Sequence, residues 1–521
     1  MTSTSTLTSA LSAARRTAEL TSLAADSDVD VVVIGGGITG VGIALDAASR
    51  GYRTVLVEAH DLAFGTSRWS SKLVHGGLRY LATGNVGIAR RSAVERGILM
   101  TRTAPHLVSA VPQLVPLLPA DSLASKILVR VGFLAGDVLR ATAGTPSSVL
   151  PRSRRIGRAE AITRAPAVRR SGLRGGLLAY DGQLVDDARL VIAVARTAAQ
   201  HGARVLTRVR AEAATGSSVQ LTDTLTGSSF TVTARAVINA TGVWAGGLDP
   251  SIRVRPSRGT HLVFDAETFG NPTAALTIPI PGETNRFIFV LPEQLGRVYL
   301  GLTDEDAPGP IPDVPEPSGQ EIDFLLATVN RALETSVTRS DIRGAFAGLR
   351  PLVDSGSGRS ADVSRDHAVI ANADGLTSVV GGKLTEYRYM AQDTLDRVVA
   401  ARGLPPRPCV TAELPLIGAP GNPETPADCG TDGSGLPPSM VARYGAEAAR
   451  VYERATCTRP LDPVAPDIEV TRAEFEFAMT HEGALEVDDV LDRRTRIGLV
   501  AADRAAALPT AQEFTTGRSR R

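Results

Sequence analysis

Val31-Val32-Val33-Ile34-Gly35-Gly36-Gly37-Ile38-Thr39-Gly40 joins an apolar run to a glycine-punctuated turn, and a second apolar run, Thr54-Val55-Leu56-Val57-Glu58, ends in an acid. Strand, tight turn, helix, strand, acid is the order of a dinucleotide-binding unit. Gly35 permits the turn, Gly37 lets backbone approach a pyrophosphate, and Gly40 lets the helix lie close to the sheet. Ile38 and Thr39 open the helix, whose unpaired N–H groups and partial positive charge suit phosphate. Glu58 is placed to accept from a ribose 2′-hydroxyl. The stretch therefore sets the fold class as α/β with a Rossmann-like layer.

Two later apolar runs read as returns to the same layer. Ala236-Val237-Ile238-Asn239-Ala240-Thr241-Gly242 follows the strand-like Ser229–Thr233, and Leu376–Gly382 precedes a helix from Tyr387 to about Ala400. Returns so widely separated imply a discontinuous nucleotide domain with a second domain threaded through it. Between them, Gly259–Phe264, Arg286–Leu291 and Arg297–Leu302 read as antiparallel strands. Ile322, Leu325, Leu326 and Val329 have helical spacing over Glu321–Leu333. Beyond a Gly- and Pro-rich stretch, Val441–Glu453, Thr471–Glu482 and Val487–Ala507 read as amphipathic helices.

The expected division is a disordered or weakly helical tail over 1–27 and a discontinuous nucleotide domain over 28–105, 171–250 and 345–405. An antiparallel-sheet substrate or cap domain covers 106–170 and 251–344. A linker over 406–438, a small helical C-terminal domain over 439–510 and a tail over 511–521 complete it, α+β overall.

Composition bounds the function. A chain of 521 residues exceeds one core, and a net charge of +1 gives no case for nucleic acid. Cys409, Cys429 and Cys457 lack metal-site or disulfide spacing, and no metal is expected. The first residues lack the apolar core of a signal peptide. The uncharged stretch Leu107–Ala120 contains three prolines, and it falls short of the about 20 apolar residues a membrane span needs. Leu114–Leu139 is apolar with scattered Lys126 and Arg130, compatible with a buried core or with a surface that dips into a membrane interface. Only Lys72, Lys126 and Lys383 of 56 basic residues are lysines. Two of them fall inside glycine-containing motifs, where a compact ammonium fits better than a planar guanidinium.

The first such motif is Ser70-Ser71-Lys72-Leu73-Val74-His75-Gly76-Gly77-Leu78-Arg79-Tyr80-Leu81. Its hydroxyls and glycines suit close passage along a planar cofactor, with Arg79 and Tyr80 presented to an anion. A basic, glycine-rich loop at a domain junction would read the same way.

From Val31 to Tyr80 the chain resembles FAD-dependent glycerol-3-phosphate dehydrogenases of the D-amino-acid-oxidase-like flavoproteins, in their aerobic bacterial form. The likeness continues at Ala179–Leu190, Asn239–Trp244, Arg258–Val263, Gly301–Asp304, Gly348–Leu352, Ser364–His367, Gly381–Arg388 and Asp489–Thr495. It covers about residues 28 to 500. The resemblance implies FAD as cofactor and oxidation of sn-glycerol 3-phosphate to dihydroxyacetone phosphate, with hydride passing from C2 to the flavin. It implies a membrane quinone as acceptor, a role in glycerol catabolism, and a cytoplasmic enzyme peripheral on the inner face of the plasma membrane. It leaves a homodimer open. An oxygen-using glycerol-3-phosphate oxidase is the nearest alternative, and an amine or amino-acid oxidase of the same superfamily the next.

Carried onto this chain, Gly35, Gly37, Ile38, Thr39, Gly40 and Glu58 would hold the ADP half of FAD. Ser70, Ser71 and His75 would line the ribityl or ring region, and Val209 would meet the adenine through its backbone. Gly382, Lys383, Leu384 and Thr385 would approach the ring's pyrimidine end. Arg79, Tyr80, Arg350, Arg365 and Lys383 form the substrate-binding set. Arg350, His261 and Lys383 form the catalytic set: Arg350 faces the developing alkoxide and His261 is the first candidate to take the hydroxyl proton. Arg68-Trp69 stands where relatives carry small residues, and Leu302 where a Thr is common.

Overall fold

The computed structural model describes residues 8–25, 29–77, 85–119, 123–280, 282–283, 286–353, 366–425 and 435–516, without the side chains of 123–126. Val29–Ile34 is a strand buried on both faces save at Asp30, as an unbroken apolar run becomes at the centre of a parallel sheet. Thr54–Glu58 and Ser229–Asn239 flank it, both parallel. The path runs His367–Ala371, Thr377–Gly381, Ser229–Asn239, Val29–Ile34, Thr54–Glu58, Arg204–Thr207. Widely separated segments thus complete one layer. Helices Ile38–Ser49, Asp187–Gln200 and Tyr387–Arg402 cover one face through Val41, Leu45, Leu190, Val194, Leu395 and Val398. An antiparallel meander, Val209–Ala214, Ser218–Asp223 and the start of Ser229–Asn239, covers the other.

The second sheet runs Glu305–Asp306, Val254–Asp265, Arg297–Gly301, Phe287–Glu293, Ala275–Pro279, Val108–Pro116, Gly176–Leu184, Leu73–Val74. Gly344–Val353 adds to Val254–Asp265, and Arg154–Ile156 to Gly176–Leu184. Helix Gly319–Val329 starts on a Ser318/Glu321 capping box and buries Leu325 and Val329 against this sheet's core.

The structure moves several expected boundaries. Gly176–Leu184 and Gly344–Val353 pair in the second sheet, whereas the sequence pattern assigns 171–250 and 345–405 to the nucleotide layer. Each segment crosses between layers after its strand, and short apolar strands of either sheet share one pattern. Over its described part the 1–27 segment is no loose tail. Ala13–Ala25 is a helix, Leu23 is fully buried, and Arg16 donates to the Thr207 carbonyl and to Asp223. Ser9 binds Glu424, and the Leu11 N–H donates to the His481 carbonyl at 2.8 Å. Two leucines and one arginine are too few to mark a docked helix by periodicity.

The 406–438 linker buries Leu416 and Ile417 in the nucleotide layer's core; residues 426–434 lie outside the described ones. In the C-terminal domain, the expected helix Val441–Glu453 breaks at Gly445 into Pro438–Tyr444 and Ala448–Glu453. The expected Val487–Ala507 breaks at Arg496, whose φ is +63°. The last helix, Ala501–Thr516, runs past the expected end at 510. Within Leu114–Leu139, Leu114, Val115 and Leu117 are core residues, whereas helix Leu123–Thr142 exposes Ile127, Leu128, Val131, Leu134 and Val138. No helix among the described residues is long and apolar enough to cross a membrane.

Candidate active site

The fingerprint turn is built from backbone. Gly35 sits at φ +112°, and a Cβ there would come within 2.6 Å of the Ala240 carbonyl oxygen. A Cβ on Gly40 would overlap the Gly35 carbonyl oxygen, so glycine at 40 lets the helix meet the sheet. Glu58 Oε2 accepts from the Gly36 N–H at 2.6 Å and Oε1 from the His60 N–H at 2.8 Å. Burial nonetheless raises the Glu58 carboxyl above its ordinary range. A carboxylate has about four acceptor sites, so a ribose hydroxyl can be added to this pair. At the helix start, Ile38 N–H meets only a side-chain hydroxyl, Ser67 Oγ at 2.9 Å. An added Cβ on Gly37 would approach that same oxygen at 3.1 Å and nothing else. These residues fit the phosphates and ribose of a dinucleotide. Val209 is fully buried at the start of its strand.

The loop Asp61–Lys72 abuts this turn and ties it to everything else. Ala63 N–H donates to the Gly36 carbonyl at 3.0 Å, and Thr66 Oγ1 to the Leu349 carbonyl at 2.6 Å. Ser70 donates through N–H and Oγ to Asp187 Oδ2, at 2.9 and 2.7 Å. Lys72 Nζ pairs with Asp187 Oδ1 at 2.8 Å, both side chains being at most 1% exposed. It also donates to the carbonyls of Arg68 and Ser70. Burial works against ionisation of Asp187, but Lys72 and Arg496 outweigh it and hold its carboxyl below the ordinary range. Ser71 Oγ lies 2.9 Å from His261 Nε2, and His261 stacks on Phe346 with ring centroids 4.8 Å apart. His261 is 1% exposed; burial, aided by Lys72 and Arg350, pushes its pKa down to about 3. It is neutral at pH 7 and reaches its surroundings through Ser71.

Arg350 lies part-buried on Gly344–Val353, packed over Gly259 of the neighbouring strand. Its guanidinium donates to Asp304 Oδ1 at 3.1 Å, Ser257 Oγ at 3.2 Å and the Thr303 carbonyl at 3.3 Å. Gly344–Val353 packs on Thr377–Gly381 through Val353 and Val380. Just past that strand, Gly382 precedes Lys383, whose Nζ lies 3.0 Å from Glu386 Oε1 and 2.5 Å from Ser92 Oγ. Burial lowers the Lys383 pKa against the pull of Glu386. Leu384 and Thr385 begin the short turn into helix Tyr387–Arg402. Arg91 adds a second cation to Glu386 and reaches Asp366 at 2.5 Å. His75 precedes Gly76, whose N–H donates to Asp181. Arg79, Tyr80 and Arg365 lie outside the described residues.

Ser67, Lys72, Asp187, Asp304 and Glu386 were not singled out as site residues, although each orients one that was. The signals available were Lys72 and Lys383 as rare lysines, and Asp186-Asp187 heading a helix directly after a strand.

A parallel nucleotide layer with a glycine turn, joined through the loop Asp61–Lys72 to a second sheet that carries His261 and Arg350, defines a dinucleotide-binding class of protein. Comparison with known proteins agrees: residues 30–388 match the FAD dependent oxidoreductase family and residues 409–515 the C-terminal domain of alpha-glycerophosphate oxidase. The chain belongs to the FAD-dependent oxidoreductase family. It is 70% identical to "Glycerol-3-phosphate dehydrogenase 1" of Mycobacterium tuberculosis, over 97% of this chain and 98% of that one. To "Glycerol-3-phosphate dehydrogenase 2" of the same organism it is 38% identical, over 90% and 81%. Among solved structures, the glycerol-3-phosphate dehydrogenase from Bacillus halodurans complexed with FAD superposes with a TM-score of 0.71 and 26% identity, covering 96% of this chain and 94% of that one.

Proposed function

We propose that the chain oxidises sn-glycerol 3-phosphate to dihydroxyacetone phosphate in glycerol catabolism and passes the electrons to a membrane quinone. The 70% identity to a protein named for the first step, spanning nearly the whole of both chains, carries the substrate. Bound FAD would supply the hydride acceptor, held by Gly35, Gly37, Ile38, Thr39, Gly40, Glu58, Ser70, Ser71, His75, Val209, Gly382, Lys383, Leu384 and Thr385. Arg350, Lys383, Arg79, Tyr80 and Arg365 would bind the substrate, each charge-assisted contact being worth roughly 1.5–3 kcal/mol. Asp304 holds the Arg350 guanidinium at 3.1 Å, and Arg350 would meet the alkoxide that forms at C2.

His261 would take the hydroxyl proton through Ser71 Oγ. A base held near 3 is poorly matched to neutral pH. A phosphate dianion on Arg350 would offset one of the two cations that depress it, so substrate itself would raise the basicity of His261. For the acceptor, the exposed Ile127, Leu128, Val131, Leu134 and Val138 on one helix support a peripheral contact with the inner face of the plasma membrane. Oxygen as acceptor is the second reading, favoured by the oxidase name of the C-terminal match.

The test is anaerobic: the FAD-loaded protein is mixed with sn-glycerol 3-phosphate, and its blue absorption band should bleach, with no response to glycerol or amino acids. Admitting oxygen or quinone-bearing vesicles then separates the acceptors. Bleaching followed by fast reoxidation in air, with vesicles inert, would discard the quinone; failure to bleach would discard the substrate.

A further inference from the structure

We infer that the helical C-terminal domain is part of the redox site, because its Arg496 seats the Arg68–Ser71 segment and so positions Ser70, Ser71 and His261. Arg496 is 2% exposed. Its Nη2 donates to the Arg68 carbonyl at 2.7 Å, its Nη1 donates to the Asp492 carbonyl, and its Nε lies 3.3 Å from Asp186 Oδ2. Its guanidinium lies over the Trp69 ring, 5.0 Å from the centroid. Trp69 stacks on Phe346 at 5.6 Å, and Phe346 on His261 at 4.8 Å. One column therefore runs from the C-terminal domain to His261. Beside it, the neighbouring Asp187 holds Ser70 and Lys72.

The other end of the same loop is held from the same domain: Arg493 and Arg494 donate to Asp61 at 2.6 to 2.9 Å. At the same interface, Arg196 is tied to residues outside the loop. Arg196 on helix Asp187–Gln200 binds Glu447 of the C-terminal domain at 2.7 Å through two parallel hydrogen bonds, donates to Ser9 and lies 3.9 Å from Glu482. Among the described residues, Arg196 thus joins the domains without touching the loop, whereas Arg493, Arg494 and Arg496 end on it. Arg496 is a positioning residue. The inference rests on the flavoprotein nature of the site and is independent of which substrate it takes.

Arg496→Met, Arg496→Lys, the charge-balanced Asp186→Asn/Arg496→Met and Arg196→Met are compared in the full FAD-loaded chain, by FAD affinity, flavin absorption spectrum, kcat, KM and melting midpoint. Arg496→Met should weaken FAD, shift the flavin band and lower kcat about 10- to 100-fold with KM little changed. Arg496→Lys should restore part of each. The double variant, which leaves no buried charge unpaired, should fold and keep the spectral shift. Arg196→Met should lower the melting midpoint alone. Wild-type FAD affinity and spectrum in both Arg496→Met and the double variant would overturn the inference. A wild-type chain that binds FAD yet fails to bleach with sn-glycerol 3-phosphate would remove the substrate assignment and leave the affinity and spectral comparison standing.

Discussion

The fingerprint turn and the loop Asp61–Lys72 touch, through Ile38 N–H on Ser67 and Ala63 N–H on the Gly36 carbonyl, yet they are held in opposite ways. The turn is held by backbone and by an acid 22 residues away, and its tolerances are steric. The loop is held by side-chain charge from Asp187, 117 residues from Ser70, and from Arg496, 428 residues from Arg68. Its tolerances are electrostatic. A change that keeps volume and removes charge should therefore damage the loop most, and a change that adds volume without charge should damage the turn.

The largest effect is expected from Lys72→Met. The side chain keeps its length, but Asp187 loses the ammonium that pairs with it and keeps only the more distant Arg496 as a cation; breaking a buried pair in this way costs about 3–5 kcal/mol. Denaturant unfolding of the FAD-free protein measures it, and Lys72→Met/Asp187→Asn should recover most of the loss because no charge is left unpaired. A loss below about 1 kcal/mol would mean the loop is not held by charge.

Gly40→Ala is the counterpart. It adds one methyl group and no charge, placed against the Gly35 carbonyl oxygen. Overpacking of this kind costs about 1–3 kcal/mol. Because the strain falls on the turn that would receive the phosphates, FAD affinity should drop about tenfold or more, as read by fluorescence titration. The two substitutions should differ in salt response as little as buried interactions do. They should differ in rescue, since no second-site charge change repairs Gly40→Ala.

The same contrast explains what could be seen from sequence. Gly35 to Glu58 is legible because strand, turn, helix and acid lie in one short stretch and each residue type has a local reason. The two sheets and the helical C-terminal domain are legible from apolar period and turn residues. Membership of Gly176–Leu184 and Gly344–Val353 in the second sheet is not, since register and partner are set by strands far away in sequence. Ser70 and Ser71 stand out by their hydroxyls, but Asp187 and Arg496 acquire meaning only when folding brings them to the loop. Lys383 was open between flavin and phosphate; the structure adds Glu386 and Ser92 as its partners, a choice that a short helical spacing permits without announcing. His261 offers a strand histidine and no hint that Phe346 and Ser71 will bury it.

The smallest expected effect concerns Glu293, at the edge of the loop's charge cluster. Burial raises its carboxyl well above the ordinary range, with Asp186 and Asp187 adding to the shift and Lys72 and a hydrogen bond from Gln183 opposing it. Gln183 Nε2 donates to Glu293 Oε1 at 2.8 Å and to the Pro292 carbonyl. An acid whose folded pKa lies above its unfolded value, about 4.3, binds more protons when native than when unfolded. Its contribution to stability is therefore complete below about pH 4 and is lost as pH rises toward the folded pKa. Glu293→Gln replaces the protonated acid with a neutral group of the same shape that still offers an oxygen to Gln183. Melting midpoints of the two proteins should coincide near pH 4 to 5, with the variant becoming the more stable as pH rises past 7. Lys72→Met, which strips the cation opposing the shift, should widen that gap. A constant offset between Glu293→Gln and wild type across the whole range would place Glu293 outside the electrostatic set and reduce the loop's charge network to Lys72, Asp186, Asp187 and Arg496.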